Sequence, residues 1–538
     1  MRRALEVLAF VVAAAVPALA WRKPGDTRPN IILFFPDTIS AESMGAYGHP
    51  VCETPNFDAF AAANTLFDVA ISSYPQCSPS RCALATGRHP HVLGHRTQTH
   101  LVQPWEQNVF ASLKAAGLTT VMLGKNDMLA EGSFNASFTF WEDVEGQQSG
   151  PNSFAFGQAG YYSFLSGASK SEGSNATANK DLAAVEKALA FLASDPPEPV
   201  LIFLPGIGAH PPYGAPLPFF GMYNASLLKA LAPLRPQGVP NKPPYMAPDA
   251  GIRASRNLTV IGDEDFSYRV YADYLARVSY TDYIFGRLLS GLDALPAVKA
   301  SSAVIFSSDH GDFQGNYGLV EKWSGAGDDL LLRVPLAMSV PGGAPGVRVP
   351  YPVQVLDIHP TMMELGGLNA TNLTNVQFGH SLVPEAVGQP GRAQQHAYVF
   401  SEAGYLYWNE VEYNDPTQSE TWSDPTQIYY PRGQEELRAP GDSVRFVVMR
   451  NATLKLVFRA KDQGLSELYD LVADPRELSN VYGNPAYAAP LAQMKADLLE
   501  WYLLTSDVTE WIFDSRNLPP PRPLPPSPGG RRVRGRQS

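Results

Sequence analysis

Three cysteines among 538 residues, Cys52, Cys77 and Cys82, are too few for a disulfide scaffold. A hydrophobic core therefore has to hold the fold. Charge is also sparse, at 17% of residues, and positive charge is in deficit: 41 Lys and Arg stand against 52 Asp and Glu, a formal net charge of −11. Such an acidic surface disfavours a nucleic-acid partner, although a local pocket can still take an anion. Long apolar runs are missing as well. The run Leu8 to Val16 is too short to span a bilayer, and no other stretch is long and apolar enough. There is no internal repeat. What remains is a globular composition, 45% apolar, with length for one large core and a smaller second unit.

Residues 1–20 have the layout of a signal peptide: Arg2 and Arg3, the apolar run, then small residues at Ala18-Leu19-Ala20. The mature chain is expected to begin near Trp21 and to enter the secretory pathway, as a secreted or lysosomal/vacuolar protein. Seven Asn-x-Ser/Thr sequons, at Asn135, Asn175, Asn224, Asn257, Asn369, Asn372 and Asn451, agree with that route in a eukaryotic host.

The continuous apolar run Asn30 to Phe35, ended by Pro36 and Asp37, reads as a buried parallel strand. Similar runs recur at Thr119–Leu123, Val200–Leu204 and Ala303–Phe306, separated by helical patterns at Glu106–Ala116, Asp181–Leu192 and Tyr268–Leu292. This alternation predicts an α/β sandwich around a large, mostly parallel sheet. In such sheets, residues just past the strand ends build the site, and Asp37, Lys125 and Asp309 hold those positions. A Pro- and Gly-rich stretch at 383–395 separates residues 21–385 from a smaller C-terminal α+β unit, 396–515, in which Ser443–Met449 and Thr453–Phe458 alternate as antiparallel strands. The Pro- and Arg-rich tail, 516–538, has too little apolar surface to order itself.

The stretch that carries chemistry is Cys77-Ser78-Pro79-Ser80-Arg81, continuing Cys82-Ala83-Leu84-Ala85-Thr86-Gly87-Arg88. A lone cysteine is more often a buried structural thiol. This one resembles the sulfatase signature throughout, Cys-x-Pro-Ser-Arg followed by Leu-x-Thr-Gly-Arg. The resemblance runs along most of the chain: Arg28-Pro29-Asn30 and its strand, Thr54-Pro55-Asn56-Phe57-Asp58, Ser308-Asp309-His310-Gly311, Asp357-Ile358-His359-Pro360-Thr361, and Glu467-Leu468-Tyr469-Asp470-Leu471 with Asp474-Pro475. The chain resembles a type I sulfatase of the alkaline-phosphatase-like superfamily.

That resemblance implies conversion of Cys77 to formylglycine by a formylglycine-generating enzyme during maturation. The hydrated aldehyde is a geminal diol, so one hydroxyl can attack sulfur while the other later expels sulfate as the aldehyde re-forms. Position by position, the resemblance gives Asp37, Asp309 and His310, with modified Cys77, as ligands of one divalent cation. Carboxylate oxygens suit calcium. Arg81 would orient the nucleophile, while Lys125, His210 and Lys322 would surround the sulfate, and a positioned His or Lys can protonate the leaving oxygen. The substrate would be a sulfated small molecule or carbohydrate.

The sequence departs from the family pattern twice. Where many relatives carry a second carboxylate at the first ligand site, this chain has Thr38, which supplies a weaker oxygen or none. Where many have Lys-x-His, it reads Lys125-Asn126-Asp127, so Asp127 is the base or only hydrogen-bonds the diol. Two rival readings stand beside sulfatase: a phosphonate monoester or phosphodiester hydrolase of the same superfamily, and a catalytically silent protein that binds sulfated glycans. Cys52 and Cys82 are expected to be unpaired thiols.

Overall fold

The computed structural model describes residues 26–143, 176–236, 264–368, 378–389, 397–405, 424–438 and 443–506, except positions 428, 462 and 463, and a few single positions between these ranges. The expected signal peptide and tail, and the sequons at Asn175, Asn257, Asn369 and Asn372, lie outside the described residues. Asn135 and Asn224 are exposed and Asn451 is half-buried.

Eight strands form the main sheet: β1 (Asn30–Phe34), β2 (Thr65–Phe67), β4 (Thr119–Gly124), β5 (Phe140–Asp143), β6 (Val200–Leu204), β7 (Ser302–Ser307), β9 (Leu336–Ser339) and β10 (Val347–Val349). A small sheet joins β3 (Ala70–Ile71), β8 (Arg333–Val334) and β11 (Val353–Gln354), and an antiparallel one joins β12 (Val399–Ala403), β13 (Phe446–Arg450), β14 (Leu454–Arg459) and β15 (Glu467–Asp470). The main sheet runs β10-β2-β9-β7-β1-β6-β4-β5. Its last five strands are all parallel, and β9 runs against both of its neighbours.

Strand β1 lies at the centre because every residue in it tolerates burial. Ile32 pairs in register with Ile202 of β6 and Val304 of β7. Successive side chains leave a strand on opposite faces. Ile32 and Phe34 therefore enter one core, against the helices Ala176–Ala193 and Glu264–Asp293. Ile31, Leu33 and Phe35 enter the other, against Cys77–Thr86, Val109–Ala115 and Ile358–Leu365. The first core is aromatic at its centre, with the Phe34 ring 5.3 Å from Phe285 and 5.4 Å from Phe306. Truncating Phe34 to Ala there would cost about 3–5 kcal/mol. Cys52 belongs to the first core and Cys82 to the second, so the two free thiols lie on opposite faces of the sheet and cannot pair.

The helices follow the apolar periodicity, with shifted ends. The pattern from Glu106 begins as helix only at Val109, because the Asn108 side chain accepts the Ala111 N–H at 2.9 Å and caps it. The pattern from Tyr268 starts earlier, at Glu264, with Glu264 and Asp265 in its first turn.

One face of the C-terminal sheet packs on the helix Ala488–Thr505, where Trp501 stacks on Phe400 with centroids 4.3 Å apart. The other face, through Val399, Phe446, Val448 and Val457, packs on Ile71, Tyr74 and Leu332. The second unit thus leans on the segment that leads into Cys77.

Candidate active site

Parallel strands β1, β4, β6 and β7 end at the same sheet edge, so the residues that follow them meet there. Past β1, Asp37 N–H donates to the Gly206 carbonyl at 3.1 Å, and Ala209 N–H donates to the Asp37 carbonyl at 3.0 Å. This close approach requires glycine at 208: its φ is +55°, and any Cβ would stand 2.3 Å from the Asp37 carbonyl oxygen. Buried Asp181 accepts the N–H groups of Ile207 at 2.8 Å and Gly208 at 2.9 Å, which fixes the loop leading to His210. Thr38 has φ +66°, an unfavourable conformation for a β-branched residue. Its carbonyl accepts from Tyr274, at 3.0 Å, and its N–H donates to Asp309 Oδ1 at 3.1 Å. Its hydroxyl donates to Asp37 Oδ1.

Cys77 is the first residue of its helix, and Arg81 lies one turn further along the same face. The Arg81 guanidinium is fully buried and joins two carboxylates: Nε donates to Asp309 Oδ2 at 2.8 Å and Nη2 to Asp37 Oδ2 at 3.1 Å. Its Nη1 reaches the Lys125 carbonyl at 3.2 Å. Lys125 Nζ lies 2.6 Å from Asp37 Oδ2, 2.7 Å from Asp127 Oδ2 and 3.7 Å from Cys77 Sγ. Burial opposes ionisation of Asp37, yet Lys125, Lys322 and Arg81 outweigh it and hold this carboxyl well below the usual carboxylate range. Burial pushes the Cys77 thiol up to about 12, helped by Asp37, so the unmodified thiol is neutral at pH 7.

His310 donates from Nδ1 to the Gly311 carbonyl at 2.8 Å. Burial lowers its pKa and keeps it neutral, so the Nε2 lone pair faces Cys77 Sγ at 3.3 Å, Asp37 Oδ1 at 3.6 Å and Asp309 Oδ1 at 3.8 Å. Ligand atoms of Asp37, Cys77, Asp309 and His310 all lie within 4.8 Å of one another and all four residues are buried. Two carboxylates beside a neutral imidazole with its lone pair turned inward fit a divalent cation. The four residues form a candidate metal centre.

The remaining basic groups surround this centre. Lys322 is buried, within electrostatic reach of Cys77, Tyr429 and Asp37, and its Nζ has no hydrogen-bond partner among the described residues. His210 Nδ1 sits 2.8 Å from the Pro211 carbonyl. Burial, then Lys322 and Lys125, pull the His210 pKa well below the ordinary value. Asp127, with φ +46°, touches the cluster through Lys125 and is partly exposed at the rim. All the residues expected at the site thus gather at one edge of the sheet, except that Asp127 meets Lys125 rather than Cys77.

Sequence reading missed Tyr429 and Arg432. Tyr429 hydroxyl lies 3.2 Å from His210 Nε2, and Arg432 Nη1 donates to the Lys322 carbonyl at 3.0 Å. Both stand on the C-terminal unit, in Tyr429-Tyr430-Pro431-Arg432, which contains no pattern that marks a site.

The parallel sheet thus brings buried carboxylates, an inward-facing histidine and basic groups together at its strand ends. The sulfatase family's sequence model matches residues 29–368, and the chain belongs to that family. An ulvan-active sulfatase of Formosa agariphila is 25% identical over 487 residues, covering 88% of this chain and 80% of its own. The N-acetylglucosamine-6-O-sulfatase of Bacteroides thetaiotaomicron is 22% identical over 527 residues, covering 87% and 85%. Among solved structures, a phosphonate monoester hydrolase of Silicibacter pomeroyi shares the fold with a TM-score of 0.68 at 19% identity, covering 90% of this chain and 97% of its own. No helix among the described residues is long and apolar enough to cross a membrane.

Proposed function

We propose that this sulfatase hydrolyses sulfate monoesters on a carbohydrate, with Cys77 converted to formylglycine and calcium held by Asp37, Asp309, His310 and the modified residue. The observation that carries the reading is the convergence of four donors within 4.8 Å, with Arg81 bridging the two carboxylates. The Cys77 thiol marks where the oxygens of the hydrated aldehyde would stand. Bound calcium would neutralise sulfate oxygens and favour the ionised diol.

The chain's own residues do the rest. Arg81 keeps Asp37 and Asp309 ionised and aimed at the metal site. Lys125 and Lys322 offset charge on the sulfate, which grows on the leaving oxygen as the S–O bond breaks. His210 delivers a proton to that oxygen. Asp127 sets the position of Lys125 and hydrogen-bonds the diol or takes its proton. Thr38 orients Asp37 through its hydroxyl. The glycan-directed relatives named above support a carbohydrate substrate, and the N-terminal pattern supports the secretory route, with residue Trp21 expected first in the mature chain.

Hydrazine trapping with peptide mass spectrometry, on protein made in a host with the modifying enzyme, tests the nucleophile. An unmodified thiol in fully active enzyme sinks the mechanism. Aryl sulfate and aryl phosphonate assayed in parallel separate sulfatase from phosphonate hydrolase. Sulfate release from a panel of sulfated oligosaccharides identifies the sugar, and binding without turnover of any ester would leave the silent glycan-binding reading.

A further inference from the structure

Tyr429 leads into the helix Tyr430–Arg438 of the C-terminal unit, yet its hydroxyl meets the active-site histidine. The Pro211 carbonyl can only accept, so His210 Nδ1, 2.8 Å away, carries the proton. In the neutral ring Nε2 is then an acceptor, and the Tyr429 hydroxyl, 3.2 Å away, donates to it. The Tyr429 ring lies under the Arg432 guanidinium, 4.7 Å from its centroid, and Arg432 Nη1 donates to the Lys322 carbonyl at 3.0 Å. One short segment of the second unit therefore braces both His210 and the backbone of Lys322.

We propose that Tyr429 is a positioning residue of the sulfatase reaction, which holds the His210 ring in its Nδ1–H form with Nε2 aimed into the site. The proposal rests on the reading of His210 as proton donor to the leaving oxygen. To act so, His210 first takes onto Nε2, through solvent, the proton that the diol loses as it attacks sulfur, so that no hydroxide is left over. It passes that proton to the leaving alkoxide and returns to the form that Tyr429 caps. The charged and titratable groups acting on His210 are Lys322, Lys125, Asp37 and Tyr429.

Tyr429→Phe keeps the ring under Arg432 and removes only the hydroxyl. If a positioned acid contributes roughly 10²–10⁴-fold, its misalignment should lower kcat on a sugar sulfate about tenfold more than on 4-nitrophenyl sulfate, whose leaving group scarcely needs a proton. In a His210→Ala background the same substitution should add no further loss. Imidazole ¹⁵N signals, assigned to His210 by their absence in His210→Ala, should report the Nδ1–H form in the unmutated enzyme. Equal losses on both substrates, independent losses in the two backgrounds, or an Nε2–H ring in the unmutated enzyme would overturn the proposal. A leaving-group effect in His210→Ala with none in Tyr429→Phe overturns it alone. No leaving-group effect in His210→Ala brings down the proton-donor reading and the proposal with it.

Discussion

Arg81 ties together the two carboxylates of the candidate metal centre. Its fork joins Asp309 and Asp37, and no exposed surface lets water take its place. Lysine lacks the planar fork that meets Asp309 and Asp37 from two separate nitrogens, and its ammonium stands where neither contact keeps its geometry, so Arg81→Lys should leave a buried carboxylate underpaired. The expected cost is about 3–5 kcal/mol in denaturant unfolding, together with loss of turnover. A stable, active Arg81→Lys enzyme would show that a bound cation alone holds the carboxylates apart. The metal reading has its own residue-level test. Asp309→Ala should weaken calcium binding, followed by titration calorimetry, far more than Thr38→Ala, because a hard cation takes more from a carboxylate than from a hydroxyl that is donating to Asp37. Equal losses would mean that Asp309 serves Arg81 rather than the metal. Asp37, Lys125 and Asp309 were legible in the sequence because each follows a strand end, and Arg81 because it shares one short string with Cys77 on a helix. Tyr429 was not: its contact with His210 exists only through packing between units, with 219 positions separating the two in the chain. The meeting of Asp127 with Lys125 was equally invisible, since nothing in the string Lys125-Asn126-Asp127 marks the left-handed backbone at 127 or the turn of its carboxylate toward Lys125.

At the scale of elements, the long apolar runs declared the central parallel strands, and their ends moved by a residue or so. The short strands did not declare themselves. β3, β8 and β11 have two residues each, too few for any period to show, and β9 reverses direction in ways that composition does not encode. One helix-to-helix contact gives a pH test. The last carbonyls of the Cys77–Thr86 helix lack intrahelical partners, and His359 Nδ1 lies 3.1 Å from both the Leu84 and Ala85 carbonyls. Burial lowers His359 to about 4, against those two hydrogen bonds and with help from Arg88, so the folded protein holds a neutral ring that donates from Nδ1. In the unfolded chain the same ring titrates near 6.5. Between those values the unfolded state binds more protons, so stability is complete above about pH 6.5 and falls as pH drops toward 4, by roughly 3 kcal/mol from this group. His359→Asn keeps a donor and removes the titration. Denaturant unfolding of the variant should show a flatter pH slope across that window, and an unchanged slope would mean that the ring is already charged in the fold.

On the scale of the whole molecule, the C-terminal segment meets the rest of the chain through buried charge as well as through Tyr429. Lys455 of β14 pairs with Asp329 at 2.9 Å and with Glu477, while Arg450 of β13 reaches Asp329 at 3.2 Å. Asp329 N–H donates to Glu477 at 2.8 Å, and Arg459 donates to the Gly325 carbonyl at 2.9 Å. These contacts hold the loop that begins at Lys322 and ends in β8, and the Leu331 carbonyl in that loop accepts the Gly311 N–H at 2.7 Å, next to His310. Burying ions is costly, and a buried pair stabilises mainly by contrast with the state in which one partner is missing. Lys455→Met should therefore leave Asp329 and Glu477 with too little positive charge and cost about 3–5 kcal/mol. The loss should not stay within the C-terminal sheet. The unmutated protein should melt in one calorimetric transition; in Lys455→Met that whole transition should move down, and turnover should fall before unfolding begins because the loop bearing Lys322 loosens. Two resolved transitions, with only one displaced and turnover intact, would instead mark the second unit as an independent attachment, and the contacts of Tyr429 and Arg432 would then be too weak to shape the site.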